Sequence, residues 1–255
     1  MRYPEIDIMR SIAIIMMVIY HTAFDLAEFY HWDINVYEGG WGVFRTMTAT
    51  LFLVLVGIGF VISFNKSVEA KRFASTDFNV YKKYFRRGMS LIALGMLLSL
   101  GSYLHDPTTY IRFGILHLIG VSILLLPFFA RFKEWNVPLG FGIIVTGTTM
   151  YRHIDVSSLP TIFTPLFTII GLPSPSFATL DYYPLLPWFG IVLIGVAIGN
   201  FVYIRHTQWR RLLPSIFNFV GWPGRHALLL YFIHQPIIVL ILTTLLGIPQ
   251  LGNFQ

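Results

Sequence analysis

The sequence has 255 residues, of which 55% are hydrophobic and only 12% are charged, and its mean hydropathy is +0.67. This composition excludes an ordinary water-soluble protein and predicts a polytopic membrane protein. The net charge of +6 does not indicate nucleic-acid binding, because the basic residues flank apolar stretches and belong to no soluble domain. The absence of cysteine excludes disulfides, thiolate metal sites and a catalytic thiol.

Windows of about 20 apolar residues predict about seven transmembrane helices in one all-α integral-membrane domain, residues 1–255. The predicted spans are 8–26, 43–64, 86–104, 111–130, 136–151, 184–204 and 226–247. The run from Leu159 to Leu172 is apolar but is interrupted by prolines. We therefore interpret it as a re-entrant or interfacial segment rather than an upright span.

Lys and Arg are distributed unequally between the predicted loops. Of the 18 such residues, 14 lie on one side, three on the other, and Arg10 lies within the first span. Because cytoplasmic loops are enriched in Lys and Arg, this predicts a cytoplasmic N-terminus, an external C-terminus and a multi-pass position in the cell membrane. The inner set is Arg2, Lys66, Lys71, Arg72, Lys82, Lys83, Arg86, Arg87, Arg131, Lys133, Arg205, Arg210, Arg211 and Arg225.

The first span contains three ionisable residues, Arg10, His21 and Asp25. Such groups are costly at membrane depth, so they indicate a functional site. Eleven helical steps of about 100° bring Arg10 and His21 onto one face, about 16 Å apart along the axis. Asp7 and Asp25 extend this polar stripe. That face is predicted to look into the protein interior or a wet cavity.

The loop after this span combines His31 with acidic and aromatic residues. An aromatic belt at the membrane interface explains the aromatic residues. Such side chains also bind polyhydroxylated or cationic molecules, and the sequence leaves both interpretations open.

Further along the chain, three more ionisable residues lie near or within predicted spans. His117 lies about six residues after the predicted start of span 4, which places it near the depth of His21; a core histidine bonded to a hydroxyl is the alternative. Asp181 precedes span 6, where it is interpreted as a helix cap or as an exposed catalytic carboxylate. His234 lies at mid-depth in the last span, beside the kink expected at Pro236.

Several motifs occur in an order that resembles one family. They are Glu5–Asp7, Arg10–Ile14, Val18 with His21, Phe52–Gly57, Arg86–Gly88, Phe113–Gly120, Asp181–Trp188 and Tyr231–Pro236. Together they resemble prokaryotic relatives of the heparan-alpha-glucosaminide N-acetyltransferase catalytic domain, over nearly the whole chain. The spacing of Arg10 and His21 also resembles the arginine and histidine pair of transmembrane acyltransferases that modify surface polysaccharides.

The resemblance implies transfer of an acetyl group from cytoplasmic acetyl-CoA to an amine or hydroxyl of an extracytoplasmic acceptor, such as a sugar or glycan. His31 is the nearest match to the histidine regarded as catalytic in the lysosomal enzyme. Where that enzyme carries asparagine near the outer end of the first helix, this chain has His21. No metal is implied, and a homo-oligomer is compatible with the sequence.

The chemistry of acyl transfer suggests a role for each candidate residue. A histidine suits removal of the acceptor proton, and we expect His21 ahead of His31 as the base, with His117 assisting. Asp25 is expected to orient His21, and Asp181 is a further candidate. The acetyl-CoA phosphates are expected to bind Arg10, Arg86, Arg87 and Arg225, with His234 also assigned to the donor site.

A proton-coupled membrane transporter is the main alternative function. Aligned ionisable residues within spans also describe a proton relay. Paired broken helices in inverted repeats would favour a transporter, and the sequence contains none that we recognise. Binding of acetyl-CoA is the property that separates the two functions.

Overall fold

The computed structural model describes residues 3–71, 78–154, 160–174, 177–206 and 217–248. Within these ranges the chain is helical apart from loops and one isolated β-bridge between Phe113 and Tyr182. This confirms the predicted all-α class. The helices are α1 (Pro4–Tyr30), α2 (Gly39–Lys71), α3 (Phe78–His105), α4 (Ile115–Phe129), α5 (Asn136–His153), α6 (Thr164–Ile170), α7 (Leu185–Gly199), α8 (Phe217–Val220), α9 (Trp222–Arg225) and α10 (Ala227–Leu246).

Each predicted span coincides with one long helix, and six helical runs among the described residues are long and apolar enough to cross a membrane. The fourth run, Ile115–His153, contains both α4 and α5. Between them lies the 3-10 segment Ala130–Trp135, in which Lys133 adopts a non-helical φ of 47° and ψ of −119°. A break therefore falls where the sequence predicts a loop between two spans.

The fourth predicted span begins four residues too early. The backbone before Ile115 pairs instead with the segment before α7: Leu180 N–H donates to the Thr109 carbonyl (2.9 Å), and Tyr183 N–H donates to the Phe113 carbonyl (3.0 Å). These residues are apolar enough to be read as helix, but their backbone groups are satisfied by a distant segment. His117 consequently lies in the first turn of α4.

In its described residues, 160–172, the segment predicted to be re-entrant or interfacial contains a 3-10 turn and the seven-residue helix α6. Seven residues extend about 10 Å, too little to cross a bilayer. The predicted start of this segment, Leu159, lies outside the described residues, as do Arg2, Arg72, Arg210 and Arg211 of the predicted inner cations.

The chain forms two compact units, one comprising Met1–Leu55 with Arg211–Gln255 and the other Val56–Arg210. In the first unit, α1 packs against α9 and α10. Ser11 contacts Gly224 near the start of both segments, and Tyr30 donates to the Gly247 carbonyl (3.0 Å) at their ends. Since residue numbers rise together along both partners, α1 and α10 run in the same direction.

In the second unit, close helix contacts are made at glycines. A Cβ on Gly190 of α7 would overlap the Gly140 carbonyl oxygen of α5, and one on Gly147 would lie 2.8 Å from Leu186 Cβ. The order of these contacts makes α5 and α7 antiparallel. Small residues at such contacts let helices approach closely in lipid, where apolar surfaces have no tendency to associate with each other.

The shared direction of α1 and α10 bears on the number of membrane crossings. A chain changes sides at each crossing, so two parallel spans must be separated by an odd number of others. Five helices, α2, α3, α4, α5 and α7, lie between them if α4 and α5 cross separately, whereas only four do if they form one span. The packing therefore favours seven crossings.

We predict that impermeant thiol reagents label the cysteine-free chain after Asp33→Cys or His153→Cys in intact cells, but not after Trp135→Cys. Positions 33 and 153 follow the first and fifth crossings and are therefore predicted to be external. Position 135 lies between α4 and α5, after the fourth crossing, and is predicted to be cytoplasmic. Labelling after membrane permeabilisation serves as the control for reactivity. Protection of position 153 together with labelling of position 33 would contradict separate crossings by α4 and α5.

Gly190→Ala is expected to destabilise the protein by about 1–3 kcal/mol, because the added methyl group would meet the backbone of α5. Gly142→Ala, in α5, is the matched control: its Cβ would have no neighbour within 4 Å, and alanine favours a helix by about 1 kcal/mol over glycine. Thermal unfolding of the two purified variants in one detergent measures the difference. Equal unfolding temperatures would show that this contact is not tight.

Candidate functional site

The polar face of α1 lies against the C-terminal segment of the first unit. Ser11, His21 and Asp25 contact residues of 224–235, whereas Ile15 and Ile19 on other faces are exposed. Large exposed apolar side chains suit contact with lipid. The polar stripe that the sequence predicted to face the protein interior therefore does so.

Two histidines meet within this unit. The ring centroids of His21 and His234 are 4.8 Å apart, with 57° between the ring planes. The Nδ1 atom of His234 lies 2.6 Å from the Tyr231 carbonyl oxygen, which can only accept a hydrogen bond, so Nδ1 carries the proton. In a neutral imidazole, Nε2 is then an acceptor. This Nε2 atom is buried and has no hydrogen-bond partner among the described residues.

The carboxylate of Asp25 is only 1% exposed and is held by α10. Gln235 Nε2 donates to both carboxylate oxygens, at 2.7 and 2.9 Å. From the sequence, Asp25 is expected to orient His21 directly, one turn away. Among the described residues its hydrogen bonds run to Gln235, because its side chain points across the helix interface rather than along α1. Gln235 is not predicted as this partner from the sequence.

A third contact joins α1 and the C-terminal segment near their N-terminal ends. Gly224 N–H donates to Ser11 Oγ (2.8 Å), which donates to the Asp7 carbonyl (3.0 Å). A Cβ on Gly224 would lie 2.9 Å from Arg10 Cβ, so the predicted donor-site residues Arg10 and Arg225 come from adjoining positions. Arg10 Nη1 is 3.6 Å from an Asp7 carboxylate oxygen.

His31 occupies a different place from the histidine pair. It ends α1 with a left-handed φ of 56°, and its side chain is exposed. Ten residues of helix, about 15 Å, separate it from His21. The following loop folds back onto α1, where Val36 is buried and accepts a hydrogen bond from Tyr20 (3.4 Å). The structure does not bring His31 and His21 together.

A second polar cluster, in the other unit, surrounds the start of α4. His117 is buried, and its Nδ1 accepts a hydrogen bond from Gly114 N–H (3.2 Å). Its neutral ring therefore carries the proton on Nε2, which is buried without a partner in the described ranges. Gly95 of α3 makes room for this ring, since a Cβ there would lie 2.9 Å from its Cε1 atom.

Asp181 belongs to this second cluster. Its Oδ2 accepts a hydrogen bond from Ile115 N–H (3.0 Å), at the first residue of α4. One interpretation of the sequence is that Asp181 caps the helix that follows it. In the structure Asp181 caps α4 instead, because residues 109–113 and 180–183 pair. Burial raises the pKa of nearby Tyr182, whose hydroxyl donates to the Thr168 carbonyl (2.7 Å).

The predicted donor-site residues Arg86 and Arg87 lie on α3 in the second unit and are exposed. Beside them is a network that the sequence analysis did not anticipate. Lys83 Nζ donates to Ser63 Oγ (3.2 Å) and Ser67 Oγ (2.9 Å), and Tyr84 also donates to Ser63 (3.0 Å). Cations and hydroxyls together form a surface suited to phosphate groups.

The catalytic family of heparan-alpha-glucosaminide N-acetyltransferase matches residues 2–236 of this chain. This range includes all of the candidate residues considered above. The curated proteins and the solved structures yield no match.

Gln235→Leu is expected to destabilise the protein by about 1–3 kcal/mol, because it leaves the buried Asp25 carboxyl group without its donor. The double variant Asp25→Leu/Gln235→Leu is expected to lose less than the sum of the two single changes. Unfolding of all four proteins in one detergent gives the coupling energy. Strict additivity would show that the pair contributes no interaction of its own.

Proposed function

The chain belongs to the heparan-alpha-glucosaminide N-acetyltransferase catalytic family, and on that premise we propose that it transfers an acetyl group from cytoplasmic acetyl-CoA across the membrane. The acceptor is an amine or hydroxyl on the external side, of the kind that sugars and glycans carry. The membrane-enzyme class follows from the family and from the six helices long and apolar enough to span a bilayer.

The observation that carries this proposal is the pairing of His21 with His234 on buried helix faces. Neither structural packing nor a kink at Pro236 requires two imidazoles in contact. Removing a proton from an attacking amine or hydroxyl does require an imidazole with a free lone pair. We assign the base to His21, and His234, whose Nε2 has a lone pair without a partner among the described residues, adds a second ring that can accept the proton.

The donor supplies a thioester, whose carbonyl carbon needs little activation. In the transfer, the carbon–sulfur bond breaks as a carbon–nitrogen or carbon–oxygen bond forms. The proton from the acceptor goes to the histidine base and then to the departing thiolate. Charge develops on the carbonyl oxygen, and a buried N–H donor is the kind of group that stabilises it.

Each unit by itself carries basic residues that fit an anionic ligand. In the first unit, Arg10 lies against Gly224, the neighbour of Arg225; in the second, Arg86 and Arg87 lie beside the Lys83 network. Guanidinium groups bind phosphate through paired N–H donors. Proton-coupled transport, the alternative function, needs none of these contacts. Saturable acetyl-CoA binding to the purified chain supports acyl transfer, and its absence contradicts it.

His21→Ala is expected to retain acetyl-CoA binding while lowering acetyl transfer by about 100-fold or more, the usual scale of general base catalysis. His31→Ala is the matched comparison, because this exposed residue lies about 15 Å along the same helix. Binding is measured calorimetrically and transfer with radiolabelled acetyl-CoA and amino-sugar acceptors. A fully active His21→Ala protein beside an inactive His31→Ala protein would assign the base to the loop.

A further inference from the structure

The second unit contains a pocket whose lining includes none of the residues discussed for acetyl transfer. It lies where α2, α4 and α7 end and α3 begins, and its volume is about 330 Å³. The walls are largely apolar and aromatic, and include Phe60, Phe64 and Phe128. Its polar lining includes Asn200, Arg131 and Lys133. The pocket therefore combines a hydrophobic surface with two positive charges.

The two cations of the pocket have no acidic partner among the described residues. In the ranges that the structure describes, neither Arg131 nor Lys133 forms an ion pair. The neighbouring acid, Glu134, pairs with Arg205 rather than with either cation, with 4.0 Å between Glu134 Oε1 and Arg205 Nη1. Both cations are exposed, so an anion can approach them from outside the bundle. Unbalanced positive charge in a concave site attracts negatively charged ligands.

The backbone at Lys133 gives an independent indication of function. Its φ of 47° and ψ of −119° suit glycine, and a residue with a side chain is strained there. Buried Asn136 maintains this conformation by donating to the Lys133 carbonyl (2.9 Å) and the Phe129 carbonyl (3.0 Å). Among the described residues, three of the other four positive φ positions are glycine, including Gly171, and the fourth is His31. Lysine at a strained position beside a pocket indicates that its side chain is needed there.

The apolar walls distinguish between anionic ligands. Phe128 is 63% exposed, and Tyr81 and Val68 are also exposed beside it. A small soluble phosphate would contact the cations and leave these side chains uncovered. A lipid contacts both, because its phosphate and its acyl chains are joined in one molecule. Basic pockets between transmembrane helices on the cytoplasmic side bind anionic head groups.

We propose that this pocket binds an anionic glycerophospholipid, with the phosphate at Arg131 and Lys133 and an acyl chain along Phe128 and Phe64. All four helix ends that form the pocket are predicted to be cytoplasmic, so the lipid belongs to the inner leaflet. The site is independent of the proposed acetyl transfer, and its test does not require activity.

The test measures lipid retention by the full chain reconstituted in nanodiscs of equimolar phosphatidylglycerol and phosphatidylcholine with identical acyl chains. After delipidation in mild detergent, native mass spectrometry counts the lipids that stay bound. Wild-type protein is expected to retain phosphatidylglycerol selectively. Lys133→Gly and Arg131→Gln are each expected to weaken that retention about five-fold, the effect of one basic residue near a membrane surface.

Lys133→Gly has a second expected result that separates loss of binding from misfolding. Because glycine removes the backbone strain, this variant is expected to unfold, without added lipid, at the same or a higher temperature than wild type. Lys82→Gln is the control variant. It removes one positive charge from an exposed position of α3 outside the pocket, and it is expected to retain phosphatidylglycerol as wild type does.

Three outcomes would overturn the proposal. Equal loss in Lys82→Gln would show that retention depends on surface charge in general. Unchanged retention in both pocket variants would show that the pocket does not hold the lipid. Normal lipid retention together with weaker acetyl-CoA binding in both pocket variants would assign the cations to a nucleotide instead.

Discussion

A carboxyl group inside a membrane-spanning helix must find its hydrogen bonds within the protein, and in this chain Gln235 provides them for Asp25. This contact sets the register of α1 against α10. Gln235 directly follows His234, and His21 precedes Asp25 by one helical turn, so alignment of the amide with the carboxylate also brings the imidazoles together. A structural requirement and the candidate chemistry therefore depend on the same helix contact.

The helices were predictable because the bilayer imposes its demands locally. Each span must satisfy its own backbone and present apolar side chains, and both properties appear in a window of about 20 residues. The polar face of α1 was predictable for the same reason, since Arg10 and His21 are related by helical periodicity alone. Neither inference required knowledge of the rest of the chain.

The partners of these residues were not predictable, because they depend on distant segments. An amide such as Gln235 has no distinctive pattern, and it lies 210 positions from Asp25. The start of α4 was misplaced for a similar reason: Asp181, from a separate segment, caps it at Ile115. Donor and acceptor roles of His117 and His234 likewise follow from backbone groups that only the folded chain reveals.

The separation of Asp25 from Gln235 also has a consequence for biogenesis. The first helix enters the membrane long before its partner exists, and at 5–20 residues per second the ribosome needs about 10–40 s to supply the missing amide. During that interval Asp25 has to be protonated, hydrated or shielded by the insertion machinery. The chain therefore passes through a stage in which its first helix is already inserted while the hydrogen-bond donor of its buried carboxyl group has not yet been synthesised.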